Sequence, residues 1–135
     1  GRMPDYWGAE GNGGSCIVVV GTDAPLSSHQ VAKLAKRAAL GLARIGSIAA
    51  NSSGELMFAF TTANRVQSGS ERVHAIETID DRRIDAIYQA VVEATEESVI
   101  NALFMAETTV GRDGNTLHAL PVERTLDILR RHGRL

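Results

Sequence analysis

Two spacings of apolar residues alternate along the chain, and together they predict strands interleaved with helices. The continuous apolar run Ile17-Val18-Val19-Val20 is typical of a buried strand, which we expect over about 15–22. Apolar positions then recur every three or four residues, which predicts a helix from Ser27 or Ser28 to about Arg44. A longer helical pattern covers about 81–107, and Pro121 opens a short last helix.

The segments between these helices predict further strands. Ile48-Ala49-Ala50 and the apolar stretch 55–64 flank a turn at 51–54, a pattern that predicts a β-hairpin. Residues 73–79 alternate apolar with other residues and predict a short edge strand. The whole pattern predicts a two-layer α/β unit, in which helices on one side leave another apolar sheet face uncovered.

Composition and charge mainly exclude classes of function. The chain has 135 residues, enough for one domain, and a formal net charge of −2, which gives no electrostatic case for binding nucleic acid or an anionic membrane. A single cysteine, Cys16, excludes an internal disulfide and a cysteine-based metal site, and the histidines lack metal-ligand spacing. No signal peptide or membrane-length apolar run is present. We expect no metal, no organic cofactor and no membrane association, and a cytoplasmic location, or a periplasmic one if a signal peptide precedes an upstream subunit.

The first candidate catalytic residue lies where a glycine-rich segment leads into the first strand. Residues 1–14 include five glycines and predict a flexible tail, and Ser15 follows at the mouth of the strand. A backbone bond at this place can be exposed and bent. On pattern alone, the alternative is an ordinary linker that runs into a first strand.

A second candidate site lies at the entry to the strand at 55–64. Ser53 and Glu55 are two residues apart, so their side chains project on the same side if the segment is extended. The alternative is an ordinary turn with a solvated glutamate. At the other end of this strand, Asn64 either lines a pocket or caps the strand end.

The sequence resembles the DmpA/BapA family of self-processing aminopeptidases, from about Gly14 to about Pro121. The similarity is carried by Gly14-Ser15, Ile17-Val18-Val19-Val20, Thr22-Asp23-Ala24-Pro25-Leu26, His29-Gln30 and Leu40-Gly41-Leu42-Ala43-Arg44. The resemblance implies a four-layer αββα sandwich of the DmpA/ornithine-acetyltransferase type, to which this chain supplies part of the sheets and one or both helix layers. It also implies that residues 1–14 precede a cleavage site and that 15–135 form the catalytic small subunit.

The resemblance further implies a mechanism. The precursor cleaves itself between Gly14 and Ser15, and Ser15 becomes an N-terminal nucleophile that hydrolyses short peptides, amino-acid amides or esters through an acyl-enzyme. The new α-amine has a reference pKa of about 8, so it can act as a base tethered to the hydroxyl it serves. The family's Ser-Gly-acidic motif gives Ser53 and Glu55 catalytic roles, in relaying hydrogen bonds and in holding an amine, and Asn64 is a candidate for substrate binding.

The resemblance also implies partners, and two rival functions stay open. The expected partners are an upstream large subunit of the same precursor and further copies, in a homo-oligomer of processed heterodimers. One rival is an acyl transferase similar to ornithine acetyltransferase, although the nucleophile there is usually threonine. The other is an unprocessed, non-catalytic assembly module, in which Ser15 lacks a free amine.

Overall fold

The computed structural model describes residues 14–69 and 73–135, so residues 1–13 of the predicted tail lie outside the described residues. The described chain contains three helices and four strands, in an α/β arrangement, with short 3₁₀ turns at Asp81–Arg83 and Arg112–Gly114. In chain order the elements are β1 (Cys16–Thr22), α1 (Ser28–Arg44), β2 (Glu55–Thr61), α2 (Asp85–Met105), β3 (Thr109–Val110), β4 (Thr116–Leu117) and α3 (Val122–Arg131).

Strands β1 and β2 pair in parallel, with Cys16 opposite Glu55 and Thr22 opposite Thr61. The predicted hairpin was therefore wrong: residues 48–50 form no strand, and β2 pairs with β1. A parallel pair needs a crossover connection, which α1 provides. Positive φ angles at Gly46 (102°) and Ala49 (48°) break any extended path between α1 and β2.

Helix α1 begins as the sequence predicts. Ser27 is its N-cap: the Ser27 hydroxyl accepts a hydrogen bond from the Gln30 backbone N–H at 3.3 Å, and the Gln30 side chain accepts one from the Ser27 N–H at 3.0 Å. Gln30 is buried, and its amide donates to the Ile79 carbonyl at 2.8 Å and to Asp81 at 2.7 Å. The start of α1 is thereby tied to the segment that leads into α2.

The predicted edge strand at 73–79 was wrong. Residues 73–79 form no strand, and their hydrogen bonds go to loop backbone and to the side chains of other elements instead. Ile79 donates to the Pro25 carbonyl at 2.9 Å, and Glu77 bonds to the side chain of Asn64. The segment is therefore held by side-chain and loop contacts, for which its alternating pattern gave no sign.

The two faces of the β1–β2 sheet differ sharply in exposure. The helix-covered face, which includes Val18, Val20 and Met57, packs on a core of Leu26, Leu34, Ala38, Ile84 and Val91. The open face carries Ile17, Val19, Leu56, Phe58 and Phe60, whose exposed fractions run from 43% to 71%. The expectation of an uncovered apolar face is met within this chain, since α1 and α2 lie on one side only.

Helices α1 and α2 approach closely at Gly41. A Cβ atom at Gly41 would lie 2.6 Å from both the Cβ of Thr95 and the carbonyl oxygen of Val92, so only glycine fits without displacement. Arg44 and Glu96 form an ion pair at 2.8 Å near the same crossing. Glycine in a helix usually weakens it, and here the close approach is the reason for its presence.

The chain divides into two compact units, one ending at Glu96 and the other formed by Glu97–Leu135. The second unit contains the end of α2, the antiparallel pair β3–β4 and helix α3. The turn between β3 and β4 has positive φ at Asp113 (59°) and Gly114 (76°). Among the described residues, no helix combines the length and the hydropathy needed to cross a bilayer.

Candidate active site

Ser15 lies immediately before β1 and is exposed. The pairing of β1 with β2 brings it beside Gly54, which is 39 residues further along the chain. The Gly54 backbone N–H donates to Ser15 Oγ at 3.2 Å, and the Cys16 N–H donates to the Gly54 carbonyl at 3.1 Å. The candidate nucleophile is thus held against the residue between Ser53 and Glu55.

Ser53 and Glu55 are in direct contact. The Ser53 hydroxyl donates to Glu55 Oε1 at 2.6 Å, a length typical of a charge-assisted O–H···O⁻ bond. Both side chains are half-buried. Ser53 is placed by the preceding turn, in which its N–H donates to the Ala50 carbonyl at 2.8 Å. The two side chains therefore share one side, as their spacing predicts.

The strand register decides how Ser15 relates to this pair. Cys16 is opposite Glu55 and lies on the helix-covered face, while Ile17 and Leu56 lie on the open face. By strand alternation Ser15 belongs to the open face, opposite to Cys16. In the described part of the chain, the link from Ser15 to the Ser53–Glu55 pair therefore passes through the Gly54 backbone.

Glu55 carries the negative charge of this site. Within residues 14–69 and 73–135, no cationic side chain forms an ion pair with it. Its hydrogen bond from Ser53 uses one carboxylate oxygen, so the group can still hold an ammonium. No cluster of histidine, cysteine and carboxylate side chains suited to a metal ion occurs among the described residues.

An apolar cavity of about 340 Å³ adjoins Glu55 on the helix side of the sheet. Its walls come from the last turns of α1, the loop 47–49 and Met57. The Glu55 carboxylate therefore accepts a hydrogen bond from Ser53 and also borders an apolar cavity.

Asn64 is not part of this cluster. It follows the far end of β2, and β2 alone spans about 20 Å. Its Nδ2 donates to the carbonyls of Leu26 at 3.3 Å and Glu77 at 3.0 Å, and its Oδ1 accepts from the Glu77 N–H at 2.9 Å. Asn64 also lines a larger apolar cavity of about 880 Å³ between α1 and β2. Its polar atoms thus hold loops together, and its part in substrate binding stays a prediction.

Comparison with known proteins assigns the chain to a family. The model of peptidase family S58 matches residues 3–117. The chain belongs to peptidase family S58. The beta-peptidyl aminopeptidase BapA of Sphingosinicella microcystinivorans is 43% identical over 123 residues, which are 90% of this chain and 31% of the relative.

Solved structures agree with this family assignment. The L-aminopeptidase D-Ala-esterase/amidase of Ochrobactrum anthropi, described as a prototype for the serine aminopeptidases and a new variant among the Ntn hydrolase fold, matches with a TM-score of 0.80 and 37% identity, over 87% of this chain and 34% of its own. The PH0078 protein of Pyrococcus horikoshii OT3 matches with a TM-score of 0.78 and 46% identity, over 83% and 32%. The predicted α/β fold of the DmpA/BapA type is confirmed, and the chain spans about a third of the length of these relatives.

The sequence missed one participant of the site. The sequence shows Gly54 only as the middle residue of the Ser-Gly-Glu motif. In the structure its backbone N–H donates the hydrogen bond to Ser15 Oγ. This contact depends on the strand register, which no local pattern specifies. The local sequence indicates this contact only by a glycine that lies between two candidate catalytic residues.

Proposed function

We propose that this chain is the catalytic small-subunit region of a self-processing serine aminopeptidase of family S58, with Ser15 as its nucleophile. The observation that carries the proposal is the placement of Ser15 Oγ on the Gly54 N–H, next to the charge-assisted Ser53–Glu55 pair. The substrates would be short peptides, amino-acid amides or esters with a free N-terminus. The family membership and the names of the relatives support this substrate class.

Self-processing would begin with attack by Ser15 Oγ on the carbonyl carbon of Gly14. The Gly14–Ser15 C–N bond breaks, the Ser15 nitrogen keeps the electron pair and takes a proton, and an ester joins Gly14 to Oγ. Water then hydrolyses this ester, which releases a Gly14 carboxylate and a Ser15 with a free α-amine. Gly14 and Ser15 are both exposed, so water can reach this ester.

In turnover, the same hydroxyl would attack the carbonyl carbon of the substrate. The Ser15 α-amine takes the hydroxyl proton and passes it to the leaving amine, which departs and leaves an acyl-enzyme. Water then releases the acid and restores Ser15. Glu55 would hold an ammonium, either that of the substrate or that of Ser15 itself, because no cationic side chain of the described residues neutralises its carboxylate.

The partner would be an upstream subunit of the same precursor, packed on the open face as the second sheet of an αββα sandwich. The chain spans 31% of its relative, which leaves length for such a subunit. The five apolar side chains of the open face are 43% to 71% exposed, and a contiguous exposed apolar patch is typical of an interaction surface. Processed heterodimers would assemble further into a homo-oligomer.

Intact mass measurement on the full-length protein tests the proposal. The purified precursor should split without added protease, and the smaller fragment should begin at Ser15 and stay bound to the larger one in native mass spectra. Ser15→Ala should remain whole and inactive on amino-acid amides, while Ser52→Ala, a matched change in an exposed turn serine, should process normally. Normal cleavage of the Ser15→Ala protein would remove Ser15 from the mechanism.

A further inference from the structure

The backbone of Gly54 holds the Ser15–Cys16 segment with both of its polar groups. Its N–H donates to Ser15 Oγ at 3.2 Å, and its carbonyl accepts from the Cys16 N–H at 3.1 Å. The first of these bonds reaches the reacting oxygen itself. None of the catalytic steps proposed above assigns a role to this hydrogen bond.

This bond departs from the regular ladder of a parallel sheet. With Cys16 opposite Glu55, one more rung would direct the Gly54 N–H to the carbonyl oxygen of Gly14. The Ser15 hydroxyl takes this hydrogen bond instead. The Gly14 carbonyl, which is the group attacked in self-cleavage, is thereby left out of the ladder, and Oγ is fixed beside a backbone dipole.

We propose that the Gly54 backbone N–H is a catalytic group that stabilises negative charge on Ser15 Oγ when its bond to the acyl group forms or breaks. The proposal rests on the proposed function. In deacylation, water adds to the ester carbonyl and the acyl C–Oγ bond breaks. The electron pair stays on Oγ, which then takes a proton, and the acyl group leaves as a carboxylic acid.

A backbone N–H suits this task because it is already in position before the charge appears. A preorganised donor stabilises a departing oxygen without any reorganisation at the moment of reaction. Since the serine oxygen accepts from Gly54, its own hydrogen remains free for donation to a base. The Gly54 N–H therefore orients the hydroxyl for attack and stabilises the same oxygen when it leaves.

Replacement of Gly54 by glycolic acid tests the proposal, because it turns the Ser53–Gly54 amide into an ester, in which an oxygen replaces the N–H donor and every side chain is kept. It would be introduced by cell-free translation into a small subunit that begins at Ser15 and is assembled with the upstream subunit. Gly54→Ala is the matched control, since its Cβ would lie 3.5 Å from Ser15 Oγ, an ordinary contact, and the N–H is kept. We expect deacylation, measured as single-turnover decay of an acyl-enzyme, to slow by about 10- to 100-fold in the ester protein relative to Gly54→Ala.

Deacylation within twofold of the Gly54→Ala rate would overturn the proposal. A second measurement does not need the ester protein to fold. The Gly54 amide proton is followed by NMR in assembled subunits that are produced directly as chains beginning at residue 15, with Ser15 or with the Ser15→Ala change, because the Ser15→Ala precursor would not cleave itself. Loss of the hydroxyl should move this resonance upfield and speed its exchange with solvent, and an unchanged resonance would show that the bond is absent. Failure of the proposed function would look different, since the wild-type enzyme would then form no acyl group on Ser15.

Discussion

The Ser53–Glu55 hydrogen bond offers the sharpest test of whether this site acts as a unit. Its 2.6 Å length and the half-buried position of both side chains indicate a charge-assisted bond that orients both groups. Glu55→Gln keeps the size and an acceptor oxygen and removes the charge. Ser53→Ala removes the donor and leaves the carboxylate in place. The double variant completes a thermodynamic cycle.

The magnitudes follow from the types of bond involved. A hydrogen bond to a charged group contributes about 1.5–3 kcal/mol and a neutral one about 1 kcal/mol, so loss of the charge alone weakens the hold on Ser53 by about 1 kcal/mol, or about fivefold. Loss of the carboxylate that would hold an amine lowers the activity further. We expect kcat/KM to fall by about 10²- to 10⁴-fold in Glu55→Gln, the usual range for a positioned acid–base or electrostatic partner.

The assay is hydrolysis of an amino-acid amide by fully processed enzyme, followed across pH, with thermal melting of each variant. Because the two residues would act together, the double variant should lose little more than the worse single variant. Ser52→Ala serves as the matched control and should keep wild-type kinetics. Wild-type rates for Glu55→Gln at every pH would make Glu55 a turn residue, and losses that multiply in the double variant would show that the pair acts as two independent groups.

Two further predictions concern the scaffold. Gly41→Ala places a Cβ 2.6 Å from Thr95 and Val92, so overpacking should exceed the gain in helix propensity and lower the free energy of unfolding by about 1–2 kcal/mol in denaturant titrations; a stabilised protein would contradict the close crossing. Asn64→Ala removes the bonds to the backbone of Leu26 and Glu77 and should destabilise by about 1–3 kcal/mol in denaturant titrations, and KM of the same variant tests its predicted part in substrate binding. A raised KM at an unchanged melting temperature would instead favour substrate binding by Asn64.

Local patterns predicted β1 and the three helices well, because local physics determines them. The apolar run at 17–20 became β1, and the three-and-four spacing after Ser27 became α1, with the predicted cap. The long helix begins at Asp85 after a 3₁₀ turn, slightly later than the pattern suggested. In each case the signal lies within a few residues of the structure that it specifies.

Pairing between strands could not be predicted in the same way. The turn residues at 51–54 are real turn residues, but they end the crossover from α1 and lead into β2 instead of closing a hairpin. What decides the pairing is that α1 must return across one face of the sheet to bury Leu34 and Ala38. That requirement is non-local, so turn chemistry alone pointed to the wrong partner.

The contacts of the candidate site likewise divide into those set by local sequence and those set by strand pairing. The contact between Ser53 and Glu55 follows from a spacing of two residues, so the sequence predicted it. The approach of Gly54 to Ser15 follows from the register of a parallel pair, and the separation of Asn64 from Glu55 follows from the length of β2. The first is not visible without the three-dimensional pairing, whereas the second already follows from the predicted strand at 55–64.

The position of Ser15 links the open face to the chemistry. β1 buries Val18 and Val20 against the helices and exposes Ile17 (71%) and Val19 (60%), and alternation puts Ser15 on the exposed side. In the proposed heterodimer, the subunit that covers this face would bury its apolar side chains and would also form one wall beside Ser15. The donors needed to stabilise the oxyanion of an acyl carbonyl must lie around the substrate, on that same side. In the proposed heterodimer, the upstream subunit that covers the open face would also complete the site around Ser15, so activity would depend on assembly.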